Sequence, residues 1–238
     1  MNIALITAGG TGNRMGQDIP KQFMPIENKP VIIYTLESFQ KSDDIDAIAV
    51  ICLSGWEVVL QAYANQYNIN KLKWIFEGGD TNQHSIYNGI KGLKEKCISD
   101  DDIILIHDGV RPLVSERIIS ENIRTAKEYG YAVTGLQCKE VILKLNEGCL
   151  DGIPYVRENL IRTQTPHTYK FGLINEAYKQ AEIKGISSAA SCELLTLLGN
   201  DEQHWVKGSE KNGLKLTNVE DIELFKSLIN IPEEEWIK

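Results

Sequence analysis

Short apolar runs alternate along this chain with longer segments whose apolar residues recur every three or four positions. Ile3-Ala4-Leu5-Ile6-Thr7-Ala8 opens the chain as a buried strand, and Asp46–Leu53, Lys73–Glu77 and Asp102–Asp108 repeat the pattern. Between them, Val31–Phe39, Trp56–Tyr67 and Ser85–Lys96 carry helical spacing, and Pro30 suits the first turn of the first helix. Alternation of this kind predicts an α/β fold, a mostly parallel sheet with helices on both faces. Ligands of such sheets bind outside the carboxyl ends of the strands. Residues 9–12, 78–80 and 107–111 all fall at such ends and are expected to converge.

The pattern changes between Ala132 and Thr168. Val133–Leu136 and Val141–Leu145 read as strands, Asn146-Glu147-Gly148 as a turn and Tyr155–Arg157 as a return. This predicts a hairpin-like arm over roughly residues 136–165. Helices over Gly172–Lys184 and Ser191–Leu198, a strand near Leu214–Leu216 and a closing helix over Val219–Ile229 follow. No repeat, low-complexity stretch or linker interrupts the chain, so residues 1–238 are read as a single domain.

The first strand breaks at Ala8 into a loop with glycine at positions 9, 10, 12 and 16. Without Cβ atoms, such a loop lets backbone N–H groups converge on an anion. Arg14 within it and Lys21 just beyond add two cations, so the loop reads as a phosphate cradle. It is not a dinucleotide fingerprint, because the third glycine of G-x-G-x-x-G falls one residue late. No strand-ending acid follows about twenty residues on. It is not a P-loop either, since no G-K-[ST] is present.

The net charge of −8 argues against nucleic acid as a partner and makes each cation in a glycine loop significant. Cysteines 52, 97, 138, 149 and 192 are odd in number and lack C-x-x-C spacing, and the four histidines lack metal-ligand spacing. Reduced thiols, a start that leaves no room for a signal peptide, and no apolar run of about 20 residues point to a cytoplasmic protein without membrane contact.

With Pro20-Lys21-Gln22-Phe23, the loop resembles the A-G-G-x-G-x-R-M-G…P-K-Q signature of nucleotidyltransferases that activate phosphorylated sugars and polyols. It is most similar to the cytidylyltransferases acting on methylerythritol 4-phosphate and ribitol 5-phosphate, and the resemblance recurs to Thr217. It implies a Rossmann-like nucleotidyltransferase domain whose β-arm hooks around a second subunit of a homodimer. A hairpin with no core of its own suits that role. It also implies transfer of CMP from CTP to a small polyol phosphate, with Mg²⁺ and release of pyrophosphate. An attacking phosphate monoester is largely ionised at neutral pH, its second pKa being about 6, so no general base is required. The need is for in-line positioning and for cations where charge builds.

By the same resemblance, Arg14, Lys21 and Lys215 (in Gly213-Leu214-Lys215-Leu216-Thr217) are the catalytic cations. Ala8, Gly9, Gly10, Thr11 and Gly12 cradle the triphosphate, and Gly79, Asp80 and Ser85 match the G-G-x-x-R-x-x-S segment that reads cytosine. His107-Asp108-Gly109-Val110-Arg111-Pro112 matches H-D-x-x-R-P. Within it Asp108 would face the acceptor hydroxyls and the metal, Arg111 the acceptor phosphate or its own loop, and His107 is read as structural. Arg157 and Thr165 match the acceptor-binding arginine of the arm and the threonine of T-P-Q, with His167 in place of the glutamine.

Other departures lie chiefly on the acceptor side. The arginine of the cytosine segment is absent from Thr81-Asn82-Gln83-His84. Glu140-Val141 stands for Asp-Thr in the arm, and Ser187-Ser188-Ala189-Ala190-Ser191 has no acid where the family has Thr-Asp. Ribitol 5-phosphate is favoured over methylerythritol 4-phosphate as acceptor. A hexose 1-phosphate nucleotidyltransferase and a nucleotide-binding regulatory subunit without turnover stay open as alternatives.

Overall fold

The computed structural model of the chain describes residues 1–10, 19–96, 98–200, 202–229 and 231. The first strand, β1 (Asn2–Ala8), sends alternate side chains to opposite sides, as the two-residue period of a strand requires. Ala4, Ile6 and Ala8 enter one core and Ile3 and Leu5 the other. A small hairpin, β2 (Pro25–Ile26) and β3 (Lys29–Pro30), leads to α1 (Val31–Lys41), β4 (Ala47–Cys52), α2 (Glu57–Gln66), β5 (Leu72–Glu77), α3 (Asn82–Glu95), β6 (Ile103–Asp108) and α4 (Glu116–Tyr129). Next come β7 (Tyr131–Gln137), β8 (Leu143–Asn146), β9 (Cys149–Pro154), β10 (Ile161–Lys170), α5 (Phe171–Lys184), α6 (Ser191–Leu197), β11 (Trp205–Lys207), α7 (Glu210–Gly213) and α8 (Val219–Ile229).

Seven strands form one sheet in the order β11-β7-β10-β6-β1-β4-β5, and only β10 runs against its neighbours. Helices α1, α2 and α4 bury Ile33, Phe39, Leu60 and Ile119 on one face, while α3, α5 and α6 bury Ile90, Tyr178 and Leu194 on the other. Burying such side chains fully contributes about 1.5–3 kcal/mol each. The expected layering is therefore present. Because β4 and β5 extend the sheet on one side of β1 and β6 on the other, strand order reverses at β1, where a crevice opens.

Several elements differ from the sequence reading, among them the short β2, β3, β11 and α7, which the sequence did not mark. Helix α4 had no assignment, although Ser115 caps it by accepting from the Ile118 N–H and Gly130 ends it at φ 89°. Strand β10 was hidden by polar residues and Pro166 in Gln164-Thr165-Pro166-His167, where its register against β7 shifts. Consequently the ends of the expected arm belong to the main sheet. Only the part between Gln137 and Ile161 leaves it, as the separate β8–β9 hairpin. Residues 214–216 are not a strand. They run extended, with the Leu216 N–H donating to the Val110 carbonyl at 2.9 Å.

Candidate active site

Two cavities meet at the carboxyl ends of the central strands. The larger, about 600 Å³, is bounded by the loop after β1, the loop after β5, and Lys21, Asp108 and Lys215. The smaller, about 140 Å³, lies among Asp108, Arg111, Thr165, His167 and the 189–191 segment. Thr7 and Asp108 sit side by side in register on β1 and β6 and line both.

In the larger cleft the backbone itself forms the wall. The buried Gln22 donates through Nε2 to the carbonyls of Ala8 (2.8 Å) and Gly10 (3.0 Å), fixing the start of the glycine loop. Loops after β1 and β5 touch backbone to backbone, since a Cβ on Gly78 would lie 3.2 Å from Gly9 Cα. Ser85 Oγ accepts from the Gly79 N–H at 2.9 Å and donates to the Gly79 carbonyl at 3.2 Å. It thereby shapes this loop and keeps one acceptor lone pair. Asp80 lies on the cleft wall and is exposed. Of the expected nucleotide-site residues, Ala8, Gly9, Gly10, Lys21, Gly79, Asp80, Ser85 and Lys215 are brought together. Thr11, Gly12 and Arg14 lie outside the described residues.

Asp108 is the electrostatic centre. Its Oδ2 receives the Arg111 Nε–H at 2.8 Å and lies 3.0 Å from Lys215 Nζ. Burial alone would raise the Asp108 carboxyl, but Lys215 and Arg111 outweigh it and hold the group below the usual carboxylate range. Arg111 also donates through Nη1 to the Gly213 carbonyl. It braces the loop that carries Lys215 as well as lining the smaller cavity. Thr165 Oγ1 accepts from the Asp108 N–H at 3.2 Å, so this threonine orients Asp108 from within the same chain.

Two fully enclosed histidines flank the cluster. Desolvation lowers both to about 4. His107 Nε2 pairs with the Arg111 carbonyl at 3.0 Å, and His167 Nδ1 meets Ser191 Oγ at 3.0 Å. Ser191 in turn accepts from the Tyr169 hydroxyl at 3.0 Å.

The departures on α3 and in the 187–191 segment face each other. Asn82 Nδ2 donates to the Ala189 carbonyl at 3.3 Å. Gln83 Oε1 accepts from the Ser188 N–H at 2.7 Å, and its Nε2 donates to the Ile186 carbonyl at 2.8 Å. These side-chain amides therefore tie α3 to the 186–189 segment, whose Ala189 N–H also donates to the Glu193 carboxylate at 2.6 Å. Arg157 lines neither cavity. It is exposed on the arm, bonded to Glu158 (3.1 Å) and the Lys139 carbonyl (3.1 Å).

Sequence reasoning quoted Gln22 but gave it no role; the buried amide that ties down the glycine loop was visible only as the third letter of P-K-Q. Among the described residues, no group of three or more His, Cys, Asp or Glu side chains could hold a metal ion.

A glycine-walled cleft at strand ends, with cations on its rim, has the features of a nucleotidyl-transfer site. The family model for 2-C-methyl-D-erythritol 4-phosphate cytidylyltransferase (IspD) matches residues 2–230, and the chain belongs to this family of cytidylyltransferases. A ribitol-5-phosphate cytidylyltransferase of Lacticaseibacillus paracasei is 40% identical over 98% of this chain and all of its own length. A 2-C-methyl-D-erythritol 4-phosphate cytidylyltransferase of Clostridioides difficile is 35% identical over all of this chain and 97% of its own. In structure, the 4-diphosphocytidyl-2C-methyl-D-erythritol synthase of Anaerococcus prevotii superposes with a TM-score of 0.81 at 21% identity, covering 97% of this chain and 96% of that one. The fold expected from the alternation of elements is thus the fold of the family.

Proposed function

We propose that this chain transfers CMP from CTP to ribitol 5-phosphate. A phosphate oxygen of the acceptor attacks the α-phosphorus, and the bond to the bridging oxygen breaks as pyrophosphate leaves. The carrying observation is the junction of a nucleotide-sized cleft with a small polar cavity at Asp108 and Lys215. Lys21 and Lys215 rim the cleft, where the α-phosphate and the departing pyrophosphate gain charge. Asp108, kept ionised, accepts hydroxyl protons of the polyol as hydrogen bonds. The 40% identical relative named for ribitol 5-phosphate supports that acceptor.

Pyrophosphate release from CTP with ribitol 5-phosphate and with methylerythritol 4-phosphate, at equal concentrations, tests the assignment. The expected preference for ribitol 5-phosphate is about tenfold or more, the worth of one buried polar partner. A preference for methylerythritol 4-phosphate would reverse it, and no release with any polyol phosphate would favour a regulatory nucleotide-binding role.

Mg²⁺ is the proposed companion cation. Asp108 Oδ2 is shared between Arg111 and Lys215, whereas among the described residues Oδ1 has only the long bond from the Thr7 hydroxyl at 3.5 Å, so Oδ1 is the oxygen that would meet a metal. One carboxylate oxygen plus triphosphate oxygens is a donor set that Mg²⁺ accepts. When bound, the ion neutralises charge on the phosphates.

We further propose a cytoplasmic homodimer. Cys52, Cys138, Cys149 and Cys192 are free thiols, which suits a reducing compartment. No helix among the described residues is long and apolar enough to cross a membrane. On the arm, Val141, Leu145, Tyr155 and Val156 are exposed, and covering them with a second copy would carry Arg157 to the partner's acceptor cavity. A guanidinium there can hold the acceptor phosphate through two parallel bonds. Lys21→Ala and Arg157→Ala, each expected to be nearly inactive alone, would be unfolded and refolded together in equal amounts. If Arg157 acts across the dimer, about a quarter of wild-type sites return. No recovery, with mixed dimers present by mass, would place Arg157 outside the partner's site.

A further inference from the structure

The loop that carries Lys215 is secured by a pair of enclosed amides; neither lines the nucleotide cleft, and Gln164 also borders the smaller cavity. Gln164 on β10 is 2% exposed, and Asn212 in α7 is fully buried. Asn212 Nδ2 donates to Gln164 Oε1 at 2.9 Å and to the Thr165 carbonyl at 3.1 Å. Gln164 Nε2 donates to the Ser209 carbonyl at 2.9 Å. Two glycines leave room for this amide: a Cβ on Gly208 would fall 2.3 Å from Gln164 Oε1, and one on Gly213 2.5 Å from Gln164 Nε2. Any other residue at either position would displace the Gln164 side chain.

Beyond the amides, the loop reaches the strand-end cluster. The Gly213 carbonyl accepts from Arg111, and the Leu216 N–H donates to the Val110 carbonyl at 2.9 Å. Lys215 lies between these two attachments, its Nζ 3.0 Å from Asp108 Oδ2. Residues 214–218 belong to no helix or strand. Repeating backbone bonds therefore do not set the direction of Lys215, and the attachments on either side must do so. On the β10 side, those attachments are Gln164 and Asn212.

We infer that Gln164 and Asn212 are positioning residues for nucleotidyl transfer: their amide pair fixes the 208–216 loop so that Lys215 meets the reacting phosphate. The inference rests on the role given to Lys215 above. The pair acts on turnover through Lys215 and not on CTP binding.

The test measures steady-state kinetics of Gln164→Met and Asn212→Ala, each alone and combined with Lys215→Ala, with folding checked by thermal unfolding. Gln164→Met keeps length and volume but has no amide. In the otherwise wild-type enzyme, kcat is expected to fall about tenfold or more with KM for CTP within about twofold, as a small misplacement of a reacting group costs. In the Lys215→Ala background the same substitution is expected to change kcat by less than about twofold, because residues acting through one group are not additive. Equal losses in both backgrounds, or a raised KM with unchanged kcat, would overturn the inference. Should Gln164→Met not fold, Asn212→Ala, which keeps the Gln164–Ser209 bond, carries the same comparison. Wild-type turnover of Lys215→Ala alone would instead remove the role of Lys215, and that outcome is read separately from the other two.

Discussion

Lys21→Ala is expected to lower kcat about a hundredfold or more while KM for CTP changes little, the loss typical of one donor aimed at transition-state charge. The argument rests on how firmly Lys21 is mounted. It opens a single 3₁₀ turn, Lys21–Phe23. The next residue, Gln22, is bonded to the Ala8 and Gly10 carbonyls. Phe23 stacks on Trp56 with ring centroids 4.7 Å apart. The backbone of Lys21 is thus fixed to the start of the glycine loop, so only its side chain is left to be ordered at the moment of reaction. A variant with near-normal kcat and only a raised KM would show that Lys21 serves ground-state binding instead. Pre-steady-state turnover with CTP in excess distinguishes the two outcomes.

A second large effect is expected in stability against pH. The enclosure that lowers His107 and His167 to about 4 also leaves Nδ1 of the first and Nε2 of the second without a hydrogen-bond partner among the described residues. In the unfolded chain a histidine titrates near 6.5. Below that pH the unfolded chain gains protons that the folded chain refuses, so stability falls as pH drops from about 6.5 to about 4. Below about 4 both states carry the proton and this contribution is complete. A shift of this size corresponds to about 3 kcal/mol per histidine. Asp108 acts lower on the scale: its depressed carboxyl stabilises above about 4 and that contribution fades only in stronger acid. Urea unfolding at pH 7 and at pH 4.5 measures the difference. His167→Gln, which introduces the glutamine of the T-P-Q pattern, is expected to lose about 2.4 kcal/mol less than wild type between the two pH values, most of the full shift. An equal loss in both proteins would show that His167 is not the acid-sensitive group.

The parts of the molecule that were legible in the sequence are those governed by short-range period. Runs such as Ile3–Ala8 and Ala47–Cys52 are apolar on both faces because helices cover both faces, and this marks them as central parallel strands. Strand β10 gave no such signal. Its polar Gln164, Thr165 and His167 bond within an internal network, so their burial depends on partners 24 to 57 residues away in the chain. The same holds for the site. Glycines and cations at strand ends could be picked out, because each is conspicuous where it stands. The bond from Arg111 to Gly213, the grip of Gln22 on Gly10 and the seam between Asn82 and Ala189 exist only once the loops are folded against one another. Residues 214–216 were read as a strand because Leu214 and Leu216 alternate with Lys215, yet no neighbouring strand is available to pair with them.

The two cavities share just Thr7, Asn82, Asp108 and Lys215 among the described residues. Most of the remaining nucleotide wall comes from the first 85 residues, whereas much of the acceptor wall comes from residues 163–191. On the proposed assignment of the two cavities, substitutions in the second stretch are expected to retune which alcohol phosphate is accepted while the wall from the first 85 residues stays unchanged. A laboratory attempt to redirect the enzyme therefore has its natural library at positions 163 and 187–191, which leaves Gln164 and Thr165 in place to hold the Lys215 loop and Asp108.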